Sequence, residues 1–247
     1  MIDKLDSDRL NELAEFIVQD YLAKQNIPPS SVVCVDIEGL AKDYFGYDIL
    51  FENIKENDLG KIAFSANGVR PITVSRNGRK ERIVFPADKI ILDRYYQRTE
   101  NYASRRFAIG HELGHKILSK VAPEHSRGNY QTIFDSERQY TAEELHSQMN
   151  LVEVQANQMS AALQLPMFLL RSTLNRVINK RRFPVYGDFQ MLPGDSMLLK
   201  QMADDLGVSS KTLIIRLRNC NLIEYRPIEE FMNRIDLRGD GSNVYPG

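Results

Sequence analysis

Apolar residues at Leu10, Leu13, Phe16, Ile17 and Leu22 recur at helical spacing and predict an amphipathic first helix over residues 8–24. Pro28-Pro29-Ser30 breaks it, and a second helix is expected from Ile37 to Phe45, closed by Gly46. The pattern then changes to short β-rich segments at 47–51, 61–64, 71–74, 82–85 and 89–92. The turn dipeptides Asn67-Gly68 and Asn77-Gly78 lie between them and suggest antiparallel hairpins. Helical spacing returns over 103–121 and stops before Pro123. Residues 123–140 are polar and read as a long loop, expected to form a gate beside whatever site the flanking helices build. Thr141-Ala142-Glu143-Glu144 fits a capping box, and Leu145, Met149, Val152, Ala156, Met159 and Leu163 form one apolar stripe that ends at Pro166. One more helix is expected over 167–179.

The run Lys180-Arg181-Arg182-Phe183-Pro184 reads as a junction, dividing a domain at 1–182 from a module and tail at 183–247. In that second part, Ala203, Gly207, Val208, Ser209 and Leu213 match the small, turn-glycine and apolar positions of a helix-turn-helix. Helices of 196–206 and 210–219 would flank Gly207. Lys211, Arg216 and Arg218 are basic, but Asp204 and Asp205 offset them. Leu213, Ile214, Ile215 and Leu217 make the second helix apolar over a broad arc, which favours burial over reading DNA. The tail beyond Ile223 is expected to be poorly ordered at its end. The fold class is therefore α+β, a small and mostly antiparallel sheet packed on helices, with a helix-turn-helix-like C-terminal module.

Composition narrows the function classes. A formal net charge of −1 gives no reason to expect nucleic acid or an anionic membrane as the main partner. No apolar run is long enough to span a bilayer, and the first twenty residues lack a signal-peptide pattern. Cys34 and Cys220 suggest no disulfide framework, so a reducing cytoplasm is expected.

The chemistry sits in His111-Glu112-Leu113-Gly114-His115, an H-E-x-x-H pattern. On a helix, four residues turn the chain by about 400°, which leaves the two imidazoles roughly 40° apart and about 6 Å along the axis. Both can then reach one Zn²⁺, while Glu112 can take a proton from a water at the metal as general base. Gly110 and Gly114 each cost about 1 kcal/mol against Ala inside a helix, a cost easiest to understand where a backbone or a metal comes close. A catalytic zinc needs a third ligand. The metzincin pattern would put Gly and His where Leu118 and Val121 stand, so that class is rejected. His125, His146 and Glu153 remain, and Glu153 is preferred. It shares a helical face with Asn157, which can orient a ligand imidazole. Tyr95, Tyr96, Tyr102, Tyr130, His125 and His146 are eligible by type to stabilise an oxyanion, and nothing in the sequence selects among them.

The segment from Arg105 to His115 (RRFAIGHELGH), followed by Glu153 to Pro166 (EVQANQMSAALQLP), resembles the ImmA/IrrE metallo-endopeptidases. Their pattern is approximately R-R-F-T-x-A-H-E-L-G-H, then E-x-x-A-N-x-F-A-x-x-L-L-M-P. Ala108, Gly110 and Met159 depart from the usual Thr, Ala and Phe, and the stretch between His115 and Glu153 is longer than the pattern suggests. The resemblance covers roughly residues 30 to 180. It implies zinc bound by His111, His115 and Glu153, catalysis by Glu112, and a regulatory protein as substrate, typically a helix-turn-helix repressor of a mobile element or stress response. Two other readings are a DNA-binding regulator whose peptidase fold is only a sensor, and a toxin-like partner of a repressor.

Overall fold

In a computed structural model the structure describes residues 7–55, 63–121 and 151–239. The expected gate at 123–140, the capping box at 141–144, His125, His146, Tyr130 and the end of the tail lie outside the described residues.

Helix α1 (Ser7–Lys24) buries Leu10, Ala14, Ile17, Val18, Tyr21 and Leu22. Phe16 does not belong to that face and is 65% exposed. At 100° per residue it lies nearly opposite the centre of the stripe. The second helical segment is α2 (Ile37–Gly39), capped by Asp36 through its Oδ1 and the Gly39 N–H at 2.9 Å. It continues into a π-turn over Leu40–Tyr44, which ends at Gly46 in the left-handed region (φ +73°).

Among the described residues five strands follow: β1 (Asp48–Glu52), β2 (Ala63–Ser65), β3 (Pro71–Arg76), β4 (Arg79–Val84) and β5 (Lys89–Asp93). Only one NG dipeptide makes a hairpin. Asn77 and Gly78 both have positive φ (51° and 76°), and β3 pairs antiparallel with β4 across them. Asn67-Gly68 instead redirects the chain from one sheet to another, since β2 pairs with β5.

The expectation of a mostly antiparallel sheet also needs correction. β5 runs parallel to β1 on one side and antiparallel to β2 on the other, giving the order β1-β5-β2. Its run Ile90-Ile91-Leu92 is fully buried, as expected for a strand covered on both faces. Alternation sends Ile90 and Leu92 into the main helical core. Ile91 turns to a smaller cluster with Ile54, Ala66, Ile72, Val74 and Phe85.

Helix α3 (Tyr102–Val121) packs against α4 (Leu151–Gln164), and α5 (Met167–Ile178) follows after Pro166. Glu15 of α1 accepts hydrogen bonds from the Met167 and Phe168 N–H groups at 2.6 and 3.3 Å, supplying a tertiary cap for α5.

Of the run expected as a junction, Lys180, Arg181 and Arg182 form an exposed bend, while Phe183 and Pro184 begin a strand. All four residues of β6 (Phe183–Tyr186) are buried, and β6 pairs parallel with β7 (Ile223–Arg226). Between them lie α6 (Pro193–Leu206) and α7 (Ser210–Asn219), joined through Gly207 at φ +66°. Helix α8 (Ile228–Gly239) closes the described chain. The apolar core is continuous across residues 182 and 183, since Leu10, Leu113 and Leu163 share one cluster with Phe183, Leu206 and Leu217. Among the described residues no helix is long and apolar enough to cross a membrane.

Candidate metal centre

Helix α3 carries the H-E-x-x-H residues, and α4 brings Glu153 and Asn157 to meet them. The helices approach closely because α3 has no side chain at two contact positions. A Cβ on Gly110 would stand 2.6 Å from Ser160 Oγ, and one on Gly114 would stand 2.8 Å from the Ala156 carbonyl oxygen. The glycines thus admit another backbone, as the helix-propensity argument anticipated. Ser160 Oγ also donates to the Phe107 carbonyl at 2.9 Å, a polar stitch across the same seam.

Around this seam, His111, His115 and Glu153 form a group that could hold a metal ion, with their ligand atoms all within 4.8 Å of one another. His111 Nε2 lies 2.9 Å from His115 Nε2 and 3.3 Å from Glu153 Oε2, and His115 Nε2 lies 3.5 Å from Glu153 Oε1. A tetrahedral ion with bonds of about 2.0–2.1 Å requires ligand atoms roughly 3.3–3.4 Å apart, so these three separations bracket the requirement. The donor chemistry agrees. Asn157 Oδ1 lies 2.8 Å from His111 Nδ1, and an amide oxygen can only accept, so Nδ1 carries the proton and the Nε2 lone pair faces the cluster. Two imidazole nitrogens at 2.9 Å need a cation or a proton between them.

Without a metal the group is electrostatically coupled. Burial alone would raise the Glu153 carboxyl, 2% exposed, but hydrogen bonds from His111 and His115 outweigh it and bring the pKa to about 2. Burial opposes the charged form of His111, yet Glu153, Glu112 and Asn157 together raise its pKa.

Glu112 is 5% exposed and lies on the sheet side of α3. Its Oε2 accepts a hydrogen bond from Ser65 Oγ at 2.8 Å. Ser65 was not visible as a site residue in the sequence, where the β2 segment was expected to stop at residue 64. Of the tyrosines considered as electrophiles, Tyr96 is buried in the core with its ring edge-on to Tyr95. Tyr102, at the start of α3, packs on the Arg105 and Arg106 guanidinium groups.

No family model matches the chain, and no curated protein does either.

Proposed function

We propose that the chain is a zinc-dependent endopeptidase of the ImmA/IrrE kind, acting in the cytoplasm on a regulatory protein, a helix-turn-helix repressor of a mobile element or stress response. The observation that carries this reading is the convergence of His111, His115 and Glu153 with a carboxylate, Glu112, on the next residue of the same helix. In it, His111, His115 and Glu153 would hold Zn²⁺. Zinc supplies a lowered water pKa and polarisation of the scissile carbonyl.

The remaining work belongs to the chain. Glu112 accepts the proton of the attacking water and delivers it to the leaving amide nitrogen, so a C–O bond forms as the C–N bond breaks. Asn157 keeps His111 in the tautomer whose Nε2 is a ligand, and the Glu153 charge offsets part of the metal's charge. In this reading α6 and α7 form a helix-turn-helix-like module that braces the peptidase helices. The buried contacts of α7 favour that role over a DNA-reading regulator, because Arg216 is 5% exposed and spends its guanidinium inside the protein.

The test uses the purified chain, with and without Zn²⁺, and a candidate helix-turn-helix repressor from the same genome. Wild type cleaves it only with metal. Glu112→Gln keeps the metal and loses about 10²–10⁴-fold in rate. Glu153→Ala loses metal content. Full zinc in Glu153→Ala would make the third-ligand assignment wrong, and no cleavage by zinc-loaded wild type would favour the toxin-like partner reading.

A further inference from the structure

We propose that Ser65 is a positioning residue for Glu112, fixing the direction in which that carboxylate presents its proton-accepting oxygen; this rests on the peptidase reading above. Ser65 is the last residue of β2, at the edge of the three-stranded sheet, and its register opposite Ile90 sets its backbone. The half-buried hydroxyl lies 2.8 Å from Glu112 Oε2 and 3.2 Å from the Glu112 carbonyl oxygen. It has one proton, and the shorter contact to a charged oxygen takes it. Oε2 is then engaged, which leaves Oε1 to accept the proton of an incoming water.

The strand end is fastened to α3 at a second point one turn further on. Ala66 N donates to the Lys89 carbonyl at 3.0 Å, while the Ala66 carbonyl accepts from Lys116 Nζ at 2.9 Å. Lys116 also donates to the Ala87 carbonyl at 2.7 Å, where the chain returns from the β3–β4 hairpin. Ser65 at Glu112 and Ala66 at Lys116 therefore meet helix positions i and i+4, neighbours on one face. The hydroxyl is delivered by a sheet edge that cannot slide along the helix without breaking the Lys116 contacts. A glutamate side chain otherwise has several rotamers to choose from, and an aim about 1 Å wrong can cost about a hundredfold in rate.

The competing role is purely structural, a hydroxyl that satisfies a buried carboxylate with no consequence for turnover. Zinc-loaded wild type, Ser65→Ala, Ser65→Thr and Ser65→Cys separate the two, read by kcat and KM on the repressor, zinc content, and the crystallographic position of the Glu112 carboxylate. Ser65→Ala is expected to lower kcat about ten- to hundredfold with KM and zinc content unchanged, and its Glu112 carboxylate leaves the wild-type position. Ser65→Thr, which keeps the hydroxyl, restores both. Ser65→Cys, with a weaker donor of similar size, falls between and covers the case in which the alanine variant does not fold. Wild-type kcat in Ser65→Ala or Ser65→Cys, or a Glu112 carboxylate unmoved in either, overturns the proposal. If wild type itself does not cleave, the peptidase reading falls, and the carboxylate position alone decides whether Ser65 aims it.

Discussion

Gly114 and Gly110 occupy equivalent places one turn apart on α3 but face different kinds of neighbour. Opposite Gly114 is backbone, with Ala156 Cα at 3.2 Å from a notional Cβ besides the carbonyl oxygen; opposite Gly110 is chiefly the Ser160 hydroxyl, with the Ser160 Cα further off at 3.4 Å. A hydroxyl can rotate and a helix backbone cannot. Gly114→Ala is therefore expected to destabilise by about 1–3 kcal/mol even after the helix-propensity gain of about 1 kcal/mol, and Gly110→Ala by less. Urea unfolding of the two variants checks the order, and the reverse order would show that α4 yields more easily than the Ser160 side chain. Another single-residue expectation concerns Tyr44, whose phenol burial and then the hydrogen bond to Asp20 Oδ2 at 2.6 Å push up to about 12. The folded chain holds that proton more tightly than the unfolded chain, where a phenol ionises near about pH 10. The associated stability is complete below about pH 10 and is lost as the pH rises toward the folded value. Urea midpoints should fall across that window, with a gentler slope in Tyr44→Phe. Equal slopes would remove Tyr44 as a cause.

Burial accounts for only part of the broad apolar arc expected on helix α7: Leu213 and Leu217 are buried, Ile214 is half-buried and Ile215 is 44% exposed. Its basic residues differ sharply in use. Arg216 donates through Nε to the Leu165 carbonyl at 3.1 Å and through an Nη to Asn11 Oδ1 at 2.5 Å, tying α7 to α1 and the end of α4. Arg218 is exposed and lies 4.2 Å from the centre of the Phe189 ring. Arg216→Met should cost about 2–3 kcal/mol, because it leaves the buried Leu165 carbonyl and the half-buried Asn11 amide oxygen without a charged donor, whereas Arg218→Met should cost no more than about 1 kcal/mol. With Arg216 spent internally, gel-shift titrations should show only weak, sequence-independent DNA binding with a shallow salt slope. Tight binding to one operator sequence would restore the regulator reading. Legibility at this scale followed locality. The two helices that bring His111, His115 and Glu153 together could be read because four-residue spacings on α3 and α4 depend only on helical geometry, and the β3–β4 hairpin because its turn is a dipeptide. The β1–β5 pairing could not, since it joins residues 41 positions apart (48 to 89) through burial on both faces. Phe-Pro-Val-Tyr of β6 has no alternation to betray a strand, because every position is covered. Ser65 went unseen for a related reason: its partner Glu112 is 47 positions away, and a serine ending a three-residue strand carries no pattern.

Across the whole molecule, the candidate ligands come from two helices, so under the proposed function a bound metal would be a cross-link as well as a reagent. If zinc is present at roughly a hundred times its dissociation constant, it adds about 2.7 kcal/mol to stability. For a chain of this size, chelation should lower the melting temperature by roughly 5–10 °C. Glu153→Ala should melt at the same temperature with and without chelator, and a chelator shift retained in that variant would place the ion elsewhere. Because one core includes residues on both sides of position 183, unfolding should also be a single transition, and a fragment of residues 1–182 should fail to fold cooperatively. Circular dichroism and calorimetry would detect two transitions if this is wrong. The parallel pairing of β6 with β7 bears on synthesis as well. Phe183 finds its partner at Ile223, 40 positions later, so β6 emerges from the ribosome with both apolar faces and a bare hydrogen-bonding edge and must wait for two helices to follow. A chain that stalls in that interval presents Phe-Pro-Val-Tyr as an open template. Chaperone capture and nascent-chain degradation should accordingly concentrate on translation between residues 187 and 226.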